Sequence, residues 1–256
     1  MADATAATRA LRVLRALAAA PGPMTASALA RDLQLPRSST YHLLNAMESA
    51  GFVAHYVEDE RWGLGVGAFE IGAAYLRHEP LEHFGRPVLH RLMRDVDSLA
   101  PAVAHLGVLH GRETLYLLKE SPRTPVTTVA DVGVRLPAAL TASGRSMLAD
   151  LPAAQVRALF GSKDAFVDRT GLGPTSPTAL SRLLSSDRAR GWAQEDGFIV
   201  AGYSSVAAAA RDHSRRPVAA IGLTFRTDRV DEQTRAALAR EVCRAARDLS
   251  RRMGAP

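Results

Sequence analysis

The stretch that most constrains this chain is Leu29 to Gly51, LARDLQLPRSSTYHLLNAMESAG. It reads as two helices joined by a tight turn at Gln34-Leu35. Pro36 falls at the first position of the second helix, where its fixed φ is already helical and its missing N–H costs nothing. Leu43, Leu44, Met47 and Ala50 recur at helical spacing with Thr40 on the same inward side, and Gly51 supplies a left-handed stop. The outward side then carries Arg37, Ser38, Ser39, Tyr41, His42 and Asn45, with no acid before Glu48. Cations, hydroxyls and amides at the amino end of a helix suit phosphate oxygens and base edges. After Gly51 comes FVAHYVEDERWGL, two short strand-like pieces about an acidic turn. Helix, turn, helix and hairpin in that order describe a winged helix-turn-helix. Taken alone, the hydroxyl-rich helix start also suits simple capping, and a winged helix also serves as a protein-docking module.

Ahead of this unit, Arg9 to Ala19 forms a helix with Leu11, Leu14, Leu17 and Ala18 as its apolar stripe. Pro21-Gly22-Pro23 breaks it, and Thr25 is placed to cap the next helix, which runs to Leu33. In the hairpin, Glu58-Asp59-Glu60 repels phosphate, so the candidate contact there is Arg61, while Trp62 reads as core. Arg9, Thr25 and Arg61 thus join the outward helix face as candidate DNA-binding residues. Net charge does not single this region out. The chain carries +6, yet residues 1–77 hold seven Arg and seven Asp or Glu. Any affinity for nucleic acid must come from local placement.

Leu64 to Arg77 has a helical rhythm (Val66, Phe69, Ile71, Ala73, Ala74) that fits a linker between domains, and Leu81 to Val96 is a further amphipathic helix. From Pro101 the period changes. Pro101–Leu109 and Thr114–Glu120 are strand-like about a hairpin turn, and Val126–Val129 is a third candidate strand. Helices are expected at Ser143–Asp150, Pro152–Phe160 and Pro177–Arg190, the last between a Ser176 cap and a Gly191 stop. Strands are expected at Phe198–Val200, Tyr203–Arg211 and Val218–Phe225, and a long helix at Asp231–Met253. Strands with helices segregated around them make an α+β domain with an antiparallel sheet. At 256 residues the chain holds two modest domains. The expected boundaries are 1–65 for the winged helix, 66–78 for the linker helix and 79–256 for the second domain.

Catalytic signatures fail on inspection. His78-Glu79 with His83 approaches a zinc helix, but residues five apart lie about 140° apart on a helix and cannot share one metal. Gly63-Leu64-Gly65-Val66-Gly67 lacks the spacing and the βαβ setting of a dinucleotide fingerprint. It reads instead as the corner between wing and linker. A nucleophile elbow and a phosphate loop are both missing from the sequence. One cysteine, Cys243, excludes an internal disulfide and a cysteine-rich zinc site. No cofactor and no metal are therefore expected. The amino-terminal MADATAATRALRV has no apolar core of a signal peptide, and no apolar run reaches membrane-spanning length, so a cytoplasmic protein without membrane association is expected.

Thr8 to Gly72, with LPRSSTYHLL and the Arg61–Gly65 run RWGLG as its most specific parts, resembles the amino-terminal domain of IclR-type transcriptional regulators. The similarity continues more weakly to about Arg226. It implies a GAF/PAS-like effector-binding domain after the linker. Two departures stand out: such regulators often carry Gly where this chain has Gln34, and Arg where it has His42. The resemblance also points to a small-residue loop, here Leu136–Arg145 (LPAALTASGR), that binds small organic acids or related metabolites. Leu136, Thr141, Ala142 and Ser143 are its candidate effector contacts. Backbone N–H groups of Ala142, Ser143 and Gly144 at a helix start suit a carboxylate, although a capped helix has the same sequence. By the same resemblance Asp196, Ser204 or Ser205, and Thr224 line the pocket. The small run SSVAAAA that follows suggests a larger or more apolar effector.

The expected function is a DNA-binding transcriptional regulator, a repressor, whose affinity for an operator is controlled by a small metabolite. Its partners would be a double-stranded DNA operator, an organic acid or aromatic metabolite, and a second copy of the chain, as a homodimer or a dimer of dimers. The effector would act by altering the spacing of two recognition helices through the linker helix. The alternative is a metabolite-processing enzyme with a non-functional winged helix.

Overall fold

The computed structural model describes residues 6–78, 80–122 and 128–255. Side chains of 73 and 75–80 lie outside that description, as do Met1 to Thr5, Glu79 at the expected start of the second domain, and Val126 and Thr127 of the third candidate strand. Two compact units emerge, Met1–Glu79 and Pro80–Pro256.

In the first unit, α1 spans Ala6–Ala19, β1 Met24–Thr25, α2 Ala26–Leu33, α3 Arg37–Ser49, β2 Val53–Tyr56, β3 Arg61–Leu64 and α4 Val66–His78. The small antiparallel sheet runs β1-β3-β2. Its helices meet on Val13, Leu17, Leu29, Leu33, Leu44, Met47, Val53 and Trp62. The inward stripe of α1 is therefore Ala10, Val13, Leu14 and Leu17, while Leu11 and Ala18, expected inside, are exposed. Spacing of three and four residues from Leu17 selects Val13 and Leu14, and leaves Leu11 turned to one side.

Thr25 caps α2, its hydroxyl accepting from the Ala28 N–H at 3.2 Å. The turn to α3 is made by Gln34 at φ 56°, ψ 44°, with its N–H on Arg31 O and the Leu35 N–H on Ala30 O, a left-handed stop of the kind Gly usually fills. Pro36 sits one residue outside α3, as its cap, because its ψ of 141° is extended. Ala50, expected inside, is the exposed cap at the other end. The corner after the wing depends on contact with backbone: a Cβ on Gly65 would stand 2.4 Å from Gly51 O.

The second unit continues with α5 Pro80–Val96, β4 Ala102–His110, β5 Glu113–Glu120, β6 Arg135–Pro137, α6 Ala142–Asp150, α7 Ala153–Phe160, α8 Pro177–Arg190, β7 Ala193–Asp196, β8 Tyr203–Arg211, β9 Pro217–Arg226 and α9 Glu232–Arg252. Among the described residues its sheet has six strands in the order β6-β5-β4-β9-β8-β7, paired antiparallel throughout. One face packs on α5 and α9 through Leu89, Leu92, Leu106, Leu118, Ile221, Phe225, Leu238, Val242 and Leu249. Alternate residues on the other face meet α6: Ala142 packs with Ala193 and Ala207, and Met147 with Ala209 and Ala220. Cys243 lies half-buried against the α5–α9 layer.

Two strand expectations change. Phe198–Val200 is a bend, and the strand there is Ala193–Asp196. Gly197 at φ 71° and Gly202 at φ 81° turn the chain out of the sheet between them. Thr128 and Val129 carry no strand.

Candidate nucleic-acid interface and ligand cavity

On α3 the inward residues Thr40, Leu44 and Met47 are buried, and Thr40 donates its hydroxyl to Pro36 O at 3.0 Å. That anchoring turns Arg37, Ser38, Ser39, Tyr41, His42 and Asn45 to solvent together. Thr25 and Arg61 stand directly opposite each other on β1 and β3, with the Arg61 guanidinium donating to Pro23 O at 3.1 Å. Arg9 is half-buried on α1. Trp62 is buried and stacks on His55 with ring centroids 4.3 Å apart.

The second unit holds a cavity of about 210 Å³ between the sheet and the start of α6. Leu136, Thr141, Ala142, Ser143, Ser205 and Thr224 line it. Thr141 caps α6, accepting from the Gly144 N–H at 3.0 Å and bonding the Thr114 hydroxyl at 2.9 Å. The helix start lies tight on backbone, since a Cβ on Gly144 would fall 2.3 Å from Ala138 O. First-turn amides of a helix have no partner within it, so this end of the cavity favours an acceptor or an anion.

Asp196 and Ser204 do not line the cavity, which corrects the expectation for both. Side chains alternate across a strand, and these two point to the other face. There the Ser204 hydroxyl donates to Asp196 Oδ1 at 2.8 Å, and the Arg235 guanidinium holds the same carboxylate at 3.0 Å. The carboxylate on the cavity side is Glu195. It is opposite Ser205 in register, and Ser205 is opposite Thr224. Glu195 is 3% exposed, accepts from Ser205 Oγ at 3.0 Å and from the Phe198 N–H at 2.9 Å. Burial pushes its carboxyl up to about 7 against the pull of those donors.

Two further groups in the wall were not anticipated. His105 is held at about 4 by burial, so the ring is neutral, and its Nε2 donates to Ala130 O at 3.3 Å. Tyr116 packs beside it, with ring centroids 5.2 Å apart, and hydrogen-bonds Ser143. Burial raises its phenol to about 12, so it stays protonated. Reading β7 over AQED would have found Glu195, because Ala193 marks the inward parity. No such signal existed for His105, since β4 is buried on both faces and shows no alternation.

Arg145, at the end of the expected loop, lies outside the cavity but holds its frame. It pairs with Asp187 at 3.0 Å, donates to Ala139 O and Leu140 O at 3.4 Å and to Gln194 O, and lies over the Phe198 ring at 5.2 Å. One side chain thus ties together the α6 turn, α8 and β7. The run SSVAAAA contributes only Ser205 to the cavity; Ala207 and Ala209 let α6 approach the sheet. It does not enlarge the site.

Residues 6–55 match the IclR helix-turn-helix domain, and residues 73–251 match the domain described as bacterial transcriptional regulator IclR C-terminal. The chain belongs to the IclR family. Among IclR relatives, it is 31% identical to the glycerol operon regulatory protein of Streptomyces coelicolor, over 96% of this chain and 95% of that one. It is 28% identical to the HTH-type transcriptional repressor AllR of Klebsiella pneumoniae, over 98% and 90%. A solved IclR homologue from Microbacterium hydrocarbonoxydans, complexed with 4-hydroxybenzoate, shares the fold at a TM-score of 0.80 and 24% identity, over 98% of this chain and 99% of that one. As an IclR protein the chain is a DNA-binding transcriptional regulator with an effector-binding domain. The family is one of regulators and not of enzymes, which sets the enzymatic alternative aside. Among the described residues, no helix is long and apolar enough to cross a membrane.

Proposed function

We propose that this regulator is a repressor that binds a two-fold symmetric operator through α3 and releases it when a small organic acid or aromatic metabolite fills the cavity behind α6. The observation that carries this reading is the pairing of one exposed polar helix face with one largely apolar cavity that carries several polar groups in its wall, in the same chain. On α3, Arg37, Ser38, Ser39, Tyr41, His42 and Asn45 reach the duplex. Thr25, Arg61 and Arg9 add backbone contacts that fix register without reading sequence. The repressor names of relatives such as AllR support the sign of regulation. The complex of a solved homologue with 4-hydroxybenzoate supports a small aromatic acid as effector. A regulator of this kind works in the cytoplasm, where its operator is.

The working unit is a homodimer, or a dimer of dimers. Val66, Phe69 and Ile71 of α4 are 66%, 74% and 61% exposed, an apolar surface that a second copy would cover. The effector releases DNA only to the extent that it binds the low-affinity state more tightly.

Footprinting upstream of the chain's own transcription unit tests the proposal. Arg37→Ala and Asn45→Ala, both at exposed positions, should weaken operator binding by about 1 to 3 kcal/mol each while leaving the melting temperature unchanged. Equal protection by wild type and both variants would exclude α3 as the reading helix.

A further inference from the structure

With Glu195 ionised, the hydrogen atoms along one cavity wall can be assigned. Ser205 Oγ lies 3.0 Å from Glu195 Oε1 and 3.0 Å from Thr224 Oγ1. A hydroxyl has one proton. Ser205 gives its proton to the carboxylate, so Thr224 must give its own to Ser205. The second carboxylate oxygen is taken by the Phe198 N–H at 2.9 Å. Both hydroxyl protons are thereby directed along the wall, and what Glu195, Ser205 and Thr224 offer the cavity is lone pairs. A ligand that brings another acceptor to this wall finds no donor and meets a buried carboxylate. A ligand that brings a donor completes the row.

The start of α6, packed on Ala193 and Ala207 of the same sheet face, has the reverse polarity, because it presents first-turn amides and the Ser143 and Tyr116 hydroxyls. A cavity of about 210 Å³ is larger than the roughly 150 Å³ that accommodates benzene, which leaves room for a ring or short chain with two small substituents.

We propose that the effector is a hydroxylated carbonyl or carboxylate compound of about this size, whose hydroxyl donates to the Glu195–Ser205–Thr224 wall, and that Glu195 is the residue selecting for it. This rests on the reading of the cavity as the effector site. Selection works through the unmade bond. A deoxy analogue leaves a desolvated carboxylate lacking its donor, and a second carboxylate adds like-charge repulsion.

Calorimetric titration of the full-length protein, at about pH 8 where Glu195 is ionised, tests this with two matched sets. One is 4-hydroxybenzoate, benzoate and terephthalate; the other is 4-hydroxybutyrate, butyrate and succinate. In at least one set the hydroxylated member should bind about tenfold or more tightly than the deoxy member and the dicarboxylate. Glu195→Gln supplies a donor of its own and should erase most of that preference. Ser205→Ala keeps the carboxylate but removes its hydroxyl donor, so there the preference should persist or widen, which covers the case of a poorly folded Glu195 variant. Benzoate and butyrate binding as well as their hydroxylated partners would overturn the proposal. So would preference persisting in Glu195→Gln or lost in Ser205→Ala, or no binding by any of the six at millimolar concentration. Operator protection by the same ligand-free preparation is a separate readout: its loss with the ligand preference intact overturns the regulator reading and leaves this one standing.

Discussion

Glu195 is where a single ionisable group makes the effector domain sensitive to its surroundings. Burial lifts its carboxyl from 4.5 to about 7, so the folded state holds a proton that the unfolded state has lost across that window. Its contribution to stability is complete below 4.5 and disappears as pH rises through 7. His105 moves oppositely, from 6.5 to about 4, and costs stability as pH falls through that range. Glu195→Gln keeps the His105 effect and removes the other. The melting temperature of the variant relative to wild type should therefore climb between about pH 4.5 and 7, then level off. A difference that stays constant across this range would mean the carboxyl is not held up by burial. Arg145 is the second residue with a disproportionate role. Its side chain and that of Asp187 are each 1% exposed. Arg145→Met should cost about 1 to 3 kcal/mol or more in denaturant unfolding, because it strands several buried carbonyls and leaves the Asp187 carboxylate to Arg190. A loss below about 1 kcal/mol would place the frame elsewhere. At this scale the capping residues Thr25 and Ser176 were readable, since each bonds an amide three residues on. Asp196 and Ser204 were misread because one residue of slip along a strand exchanges its faces.

Among the elements, α3 and α6 illustrate different degrees of legibility. The inward and outward sides of α3 follow from a 3.6-residue period, and the structure alters them only at Ala50. For α6 the period says little, because every residue from Ala142 to Ala149 is buried. Its position depends on close approach to the preceding turn, and Gly144→Ala tests this. A Cβ 2.3 Å from Ala138 O and 2.5 Å from its Cα meets backbone, which cannot rotate away. The substitution should destabilise the domain by about 1 to 3 kcal/mol or more, and weaken effector binding by moving the α6 start. An unchanged melting temperature and effector affinity would show that the turn can yield. The stretch Phe198–Val200 shows how composition misleads. Its apolar side chains suit a strand, yet the left-handed glycines on either side bend it over the cavity, where Ile199 and Val200 become lining.

For the whole molecule, the open apolar surface of α4 carries a prediction about assembly. Phe69→Glu should shift the solution mass toward the monomer by light scattering. It should also lower operator affinity by more than about tenfold, because two half-sites would no longer be bound as one unit. A dimer that survives the substitution would assign the interface to another surface. Charge balance within residues 1–77 makes the same point about DNA affinity: with no net excess there, binding must depend on a few placed cations and on bivalence.

From the chain of residues alone, the division into a winged helix-turn-helix, a linker helix and an α+β domain was legible, as was the exposed face of α3. Those features are written locally, in periods of two and 3.6 residues and in caps that act within one turn. What only the folded structure decided was that the cavity's carboxylate is Glu195 and that His105 and Tyr116 join its wall. Glu195, Ser205 and Thr224 come from three strands, His105 and Tyr116 from two more, and the α6 start closes over them. Each strand shows the cavity alternate residues only, so strand register and close approach at Gly144 determine which side chains face a ligand.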